Sequence, residues 1–344
     1  MDADFWPRTL AHLAERQHLT ATHAAEVMQQ IMTGEATPAQ IGAVLLALRT
    51  KGETSDEVEG LAATMLDFAN PVTPHAPVVD TCGTGGDRSG TFNISTVSAI
   101  VVAAAGVPVA KHGNRAASSH CGSADLLEAL GVKIDLDAAG VEHCLADAGI
   151  GFLFAPTFHP SMRYAGPIRR ELGVPTVFNF LGPLTNPARP YAQVVGVSDE
   201  RMLPLMAEVL ARRGTRAKLF RGEDGLDELT TTGLSMMLDV REGSVRETHV
   251  DPRDLGLARS KPEDLAGGAD AAASADIARA ILGGEHGPRR DVVLLNAAAA
   301  LEVAGAVSDM ASGLVMAAGA IDSGAGTAML AAWVAASTGS ITAR

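Results

Sequence analysis

The chain is poor in cysteine, in aromatic residues and in positive charge. Of its 344 residues only 3 are cysteine and 4% are aromatic, and 27 Lys and Arg stand against 40 Asp and Glu, for a formal charge of −13. Cys82, Cys121 and Cys144 form neither a CxxC pair nor an even set for a disulfide framework, which points to a reducing cytoplasm. The acidic balance argues against a surface that wraps nucleic acid. Apolar runs are short: Ala99 to Val107 is unbroken, but a membrane span needs roughly 18 residues or more. The opening MDADFWPRTL carries no basic stretch followed by an apolar one, so it does not read as a secretory signal. A soluble protein without membrane or nucleic-acid partners is expected.

What is abundant is Ala, Val, Leu and Gly. Hydrophobic residues make up 47% of the chain and there are 36 glycines, a mix suited to closely packed helix and sheet layers with tight turns. The length suggests about two domains. Residues 1–71 read as a small helical domain, with a short opening helix around Leu10 and Leu13 and a second carrying Val27, Met28 and Ile31 up to Gly34. Thr37-Pro38-Ala39-Gln40 and Thr54-Ser55-Asp56-Glu57 are capping boxes that open two more. Pro71, Pro74 and Pro77 then forbid helix.

From residue 72 to 344 short apolar runs alternate with helical patterns. Strands are expected at Val78-Val79, 107–110, 152–154, 194–197 and 217–220, and helices at 95–105, 123–130, 160–172 and 201–212. That βαβ order predicts an α/β fold with a mostly parallel central sheet and helices on its faces. Residues 235–240 and 245–250, joined through Glu242-Gly243, read as a hairpin, and Ala-rich helices follow from about Ala273.

In open α/β sheets ligands sit beyond the carboxyl ends of the strands. The first strand runs into DTCGTGGDRSGTFNIST, where Gly83, Gly85 and Gly86 let backbone N–H groups approach an anion and a helix opens near Asn93 to Thr96. The loop is neither a Walker A nor a Rossmann fingerprint, since Arg88 stands where the third glycine belongs. A glycine-rich turn without a ligand is the plainer alternative. The second strand runs into KHGNRAASSHCGSAD, which gathers Lys111, His112, Asn114, Arg115, Ser118, Ser119 and Ser123: a set that fits a polyanion, or a solvated loop ending in a Ser123 N-cap. Asp227 and Glu228 are adjacent carboxylates in GEDGLDELTTTG, able on a loop to face one hard cation, or simply to be solvated. His159, Arg163, Tyr164, Arg169 and Arg170 are expected on one helix, where an arginine facing the cleft would grip a carboxylate and one facing outward would be a surface residue. The cysteines and remaining histidines show no nucleophile-and-base spacing.

The ordered set GTGGD, NIST, KHGNRAASS, CGSAD, FNFLGPLTNP and DGLDELTTTG resembles the anthranilate phosphoribosyltransferases, relatives of the pyrimidine nucleoside phosphorylases, over nearly the whole chain. The resemblance implies Mg²⁺-dependent transfer of a 5-phosphoribosyl group from phosphoribosyl pyrophosphate (PRPP) to the amine of anthranilate, a step of tryptophan biosynthesis. It implies that PRPP contacts Gly83, Gly86, Asp87, Thr91, Asn93, Ile94, Ser95, Thr96, Lys111, His112, Gly113, Asn114, Arg115, Ala116, Ala117, Ser118, Ser119 and Ser123. Anthranilate would meet Gly83, Asn114, Arg169 and His112, and two Mg²⁺ ions would be held by Ser95 and by Asp227 with Glu228. No covalent nucleophile is implied; Lys111 would act electrostatically. The resemblance further implies a homodimer, with helices at about 159–174 completing the helical domain. The competing readings are a pyrimidine nucleoside phosphorylase-like enzyme, which needs no Asp227-Glu228 pair, and a non-catalytic relative that binds nucleic acid, against which the charge of −13 weighs.

Overall fold

The structure is a computed structural model that describes residues 4–116 and 121–339; Ala117, Ser118 and Ser119 of the second loop lie outside the described residues. The chain opens with α1 (Phe5–Ala14), α2 (Ala21–Thr33), α3 (Pro38–Lys51) and α4 (Ser55–Asp67). Both capping boxes form: Thr37 accepts the Gln40 amide while the Gln40 side chain accepts the Thr37 amide, and Thr54 and Glu57 do the same. Glu57 is fully buried, and its carboxylate also takes the Leu19 amide at 2.8 Å and the Lys51 ammonium at 2.8 Å, which ties the start of α2 to the end of α3. A buried carboxylate is tolerable only when so paired.

Beyond the prolines a seven-stranded sheet runs β3-β2-β1-β4-β5-β6-β7. Its strands are β1 (Val79–Gly83), β2 (Val109–Gly113), β3 (Ile150–Phe154), β4 (Ala192–Gly196), β5 (Arg216–Gly222), β6 (Ser235–Arg241) and β7 (Ser244–Val250). β1 to β5 are parallel, and β6 and β7 add an antiparallel hairpin. Its turn, Glu242-Gly243, has positive φ at both residues, the geometry that matches strand twist. Helices α5 (Ile94–Ala104), α6 (Ser123–Leu130), α7 (Ala138–Ala148), α8 (Ala155–Phe158), α9 (Gly166–Leu172), α10 (Phe178–Leu181) and α11 (Met202–Arg212) lie between the strands, and α12 (Ala271–Leu282), α13 (Pro288–Ala304), α14 (Met310–Asp322) and α15 (Ala325–Thr338) follow them.

Two large cores flank the sheet, and a smaller cluster gathers Val72, Val78, Ala110, Leu153 and Phe158. One holds α5, α6, α12, α13, α14 and α15 against Val79, Val109, Ile150 and Val194. The other holds α1 to α4, the 178–184 turn and α11 against Cys82, Val195, Val197 and Leu219. Because side chains alternate along a strand, Lys111 and His112 face opposite sides of the sheet. Among the described residues no single helix is long and apolar enough to cross a membrane; α14 and α15 are bent by 69° from one another.

Two sequence expectations need correction. Residues 160–172 are not one helix: a 3-10 turn covers Pro160–Arg163 and α9 starts at Gly166. Pro167 has no N–H to return to the carbonyl of residue 163, so the chain breaks there. His159 therefore ends α8 rather than sharing a helix with Arg169. Ser123 is not an N-cap but the first residue of α6; Gly122 occupies the cap, its amide held by Asp125 at 2.9 Å. The strands also extend further toward their polar carboxyl ends than the apolar runs implied, through Gly83 and Gly113.

Candidate active site

The strand order reverses direction at β1, with β2 and β4 as its neighbours. A crevice opens where loops leave such a switch point in opposite directions. The loop after β1, residues 84–93, leads into α5, and the 223–234 segment after β5 folds back beneath it. Asp227 Oδ2 accepts the Gly85 amide at 2.7 Å, and Glu228 Oε1 accepts the Ser95 amide at 3.0 Å. This contact requires bare backbone on two strands. A Cβ on Gly83 would lie 2.5 Å from Asp227 Oδ2, and one on Gly196 would lie 1.5 Å from the Asp227 carbonyl oxygen.

Asp227 and Glu228 are both buried. Burial pushes the Asp227 carboxyl well above its ordinary range, and Asp87 and Glu228 push it the same way by repulsion. Burial also lifts Glu228 to about 7, against the attraction of Lys111. Three carboxyl groups thus crowd one spot where a cation would relieve them. Among the described residues no three His, Cys, Asp or Glu side chains are grouped to hold a metal unaided. Mg²⁺ uses one or two carboxylates together with water and substrate phosphate, and this donor set fits it.

Lys111 is 1% exposed and points to the α5 side, where its ammonium donates to the Thr81 carbonyl and, at 3.3 Å, to Ser95 Oγ. Burial lowers its pKa while Asp80, Cys82, Glu228 and Asp227 counteract. Its charge therefore lies beneath the crevice floor, acting through Ser95 and the carboxylates. Asn93 Nδ2 reaches across to the Cys121 carbonyl at 2.9 Å and joins the two loops, and Ser123 Oγ donates to the Asn114 carbonyl at 3.1 Å. Thr91 pairs with Ala266. The exposed Arg115 turns away to Asp125 and Glu128, 2.8 and 2.9 Å from its nitrogens.

His112 faces the helical side. Its backbone amide is held by Asp80 Oδ1 at 3.2 Å, and its Nδ1 lies 3.1 Å from the Gly182 carbonyl. The His159 ring sits 5.1 Å from it, centroid to centroid. One turn before Gly182, Phe178 lies under the Arg169 guanidinium at 5.3 Å. Burial lowers the Arg169 pKa, and among the described residues that guanidinium has no carboxylate within ion-pair distance. The acidic pair and the Arg169 guanidinium thus stand on opposite faces of the β1 and β2 ends.

A family model for the α/β domain of a glycosyl transferase family matches residues 75–327, and one for its helical bundle domain matches residues 7–69. The anthranilate phosphoribosyltransferase of Acidothermus cellulolyticus is 58% identical over 344 residues, covering 98% of this chain and 96% of the relative. The chain belongs to the anthranilate phosphoribosyltransferase family. The enzyme of that name from Chloroflexus aurantiacus is 54% identical over 96% of this chain and 98% of its own length. Among solved structures, the Thermus thermophilus anthranilate phosphoribosyltransferase superposes with a TM-score of 0.91 at 42% identity, covering 96% of this chain and 99% of the other. The Saccharomyces cerevisiae family member, solved with PRPP and Mg, gives 0.90 at 25% identity over 98% and 99%.

Several residues of this family member escaped the motif reading. Asp80 is wholly buried, with Asn186 Nδ2 donating to it at 2.8 Å and to the Ala110 carbonyl at 2.8 Å, a lock between β1, β2 and the 182–188 turn. Asp87 was expected only as a PRPP contact, yet it crowds Asp227. Nothing local in the sequence signals either role. Burial raises the pKa of the Cys82, Cys121 and Cys144 thiols, the last to about 11. None is a ready nucleophile.

Proposed function

We propose that the crevice beyond β1, β2 and β4 catalyses transfer of the 5-phosphoribosyl group of PRPP to the anthranilate amine, giving N-(5-phosphoribosyl)anthranilate and pyrophosphate. The observation that carries this reading is the Asp227–Gly85 and Glu228–Ser95 pair of contacts, which sets two buried carboxylates against the amides of a phosphate-type loop. Those amides now serve carboxylate oxygens, which are internal anions in the place a diphosphate would take. Asp227, Glu228 and Ser95 would hold two Mg²⁺ ions, whose positive charge stabilises the departing pyrophosphate. The residues Gly83 to Thr96, with Lys111, Gly113 to Ala116 and Ser123, would line the PRPP side.

The chain's own residues do the remaining work by position and charge. The sugar carbon becomes oxocarbenium-like as the pyrophosphate bond lengthens, as in glycoside hydrolysis. Lys111, fixed below Ser95, adds positive potential on the leaving-group side without contacting solvent. On the opposite face Arg169, backed by Phe178, receives the anthranilate carboxylate, while Asn114 and the Gly83 backbone orient the ring and amine. We place the enzyme in the cytoplasm as a homodimer joined through its helical domain, where Leu46 of α3 is 49% exposed; sizing in solution tests the association. Loss of anthranilate fluorescence on adding PRPP, with and without Mg²⁺, tests the activity. A Mg²⁺-dependent decay is expected, and a folded protein that binds PRPP without consuming anthranilate would exclude this acceptor.

A further inference from the structure

His112 is buried, yet only one of its ring nitrogens is used. A carbonyl oxygen can only accept, so the 3.1 Å contact with Gly182 requires the proton on Nδ1. Nε2 is then the unprotonated nitrogen with its lone pair free, and among the described residues it has no hydrogen-bond partner. Opposite it, His159 is 4% exposed and among the described residues neither of its nitrogens forms a hydrogen bond, although the Thr185 backbone polarises the ring. Buried polar atoms are satisfied in nearly all folded proteins, so a cluster of orphans marks a place where a ligand completes the set. These lie on the acceptor face, one turn from the Phe178 platform under Arg169.

We infer that His112 Nε2 takes the proton of the anthranilate amine as the new bond forms. The inference rests on the activity proposed above. In this step the nitrogen lone pair forms the bond to the anomeric carbon, and the carbon–oxygen bond breaks with its electrons going to pyrophosphate. The N–H bond pair returns to nitrogen as the proton moves to Nε2. The resulting imidazolium keeps its Nδ1–H on Gly182 and loses the Nε2 proton to water when the products leave. Anthranilate's own ortho carboxylate is the competing acceptor, and its engagement by Arg169 withdraws it from that task.

The electrostatics of the pocket suit this work. His112 is held neutral, its pKa lowered to about 3 by burial first and then by His159 and Lys111. It is therefore unprotonated throughout the neutral range. So weak a base can still take the proton because the N–H acidity rises steeply as the bond to the sugar forms: an arylammonium bearing a sugar is itself a strong acid. Burial also makes the imidazolium short-lived, which returns the base for the next turnover.

The test is the single-turnover rate of anthranilate consumption at saturating PRPP and Mg²⁺ for wild type, His112→Asn and His112→Gln. Asparagine places an N–H where Nδ1 stands and keeps the Gly182 bond; glutamine places an acceptor near Nε2 that cannot take a proton. Both variants are expected to lose about 10²–10⁴-fold in rate, with the KM for PRPP within about two-fold of wild type, and added imidazole should restore part of the Asn variant's rate. A Gln variant that turns over within about three-fold of wild type overturns the assignment. Should the variants not fold, a solvent deuterium isotope effect on the wild-type single turnover supports the transfer and its absence overturns it. Wild-type protein that consumes no anthranilate removes the activity itself, a different failure from a wild type that is active beside an equally active variant.

Discussion

Gly196 and Asp227 touch backbone to backbone: the last residue of β4 lies so near the acidic pair that a Cβ on it would be 1.5 Å from the Asp227 carbonyl oxygen. A backbone atom cannot yield as the tip of a flexible side chain can. Gly196→Ala should therefore lift the 227–228 segment away from Gly85 and Ser95, at a cost of about 1–3 kcal/mol from overpacking. The expected result is a folded protein with a lower Tm and a weakened response to Mg²⁺. Thermal denaturation with and without Mg²⁺ and PRPP measures both, and a variant with unchanged Mg²⁺ dependence would show that the acidic pair does not depend on β4.

Asp227 carries the charge test. Asp227→Asn keeps an oxygen for the Gly85 amide but removes the charge that burial and Asp87 already make costly. The protein without metal should lose nothing in Tm, because the repulsion with Asp87 and Glu228 disappears. Turnover should fall by about 10²–10³-fold, the scale of losing one preorganised electrostatic group. Titration of Mg²⁺ against initial rate checks it; an unaltered Mg²⁺ curve would move the metal elsewhere.

Arg169 separates the two substrates. Its guanidinium is largely buried over Phe178 and has no carboxylate partner among the described residues. A charge-assisted hydrogen bond to a substrate carboxylate contributes roughly 1.5–3 kcal/mol. Arg169→Ala should accordingly raise the KM for anthranilate by about 10- to 100-fold and change that for PRPP little. Steady-state kinetics varying each substrate in turn decides this, since an equal loss in both would place Arg169 outside the acceptor site.

Where structure depends on local chemistry the sequence was readable. The Thr37 and Thr54 capping boxes, the helix ending at Gly131 and the Glu242-Gly243 hairpin all stand where their residues put them. No helix is expected over α7, although Val141, Cys144, Leu145 and Ala148 form one buried face at helical spacing; the face is made of few and mostly small residues, and the helix start depends on Asp137 accepting the Gly140 amide at 2.9 Å. The strand ends were drawn short because Thr81-Cys82-Gly83 and Lys111-His112-Gly113 are polar or bare, yet buried by the crevice. Within the site the motifs named the loops but not their contacts. Asp227 meets Gly85 across 142 residues, Asn186 meets Asp80 across 106, and the His112–His159 pair comes together only because α8 ends beside β2. Such pairings follow from sheet order, which no local pattern encodes.

The histidine pair makes stability depend on pH in a defined direction. Burial lowers His112 to about 3 and His159 to about 4, from an ordinary value of 6.5. In the unfolded chain both rings take up a proton as pH falls through 6.5, while in the folded protein they do not. The unfolded state then binds more protons, so their contribution is fully present above pH 6.5 and is lost as pH falls toward 4 and then 3. Each ring should remove about 1.4 kcal/mol per pH unit over that window. Buried carboxylates such as Asp80, whose pKa burial raises, respond to pH as well, so the informative quantity is the difference between wild type and His159→Asn. Urea unfolding at pH 7, 6, 5 and 4 should show wild type losing stability more steeply than the variant, and parallel slopes would mean that His159 is not held neutral by the fold.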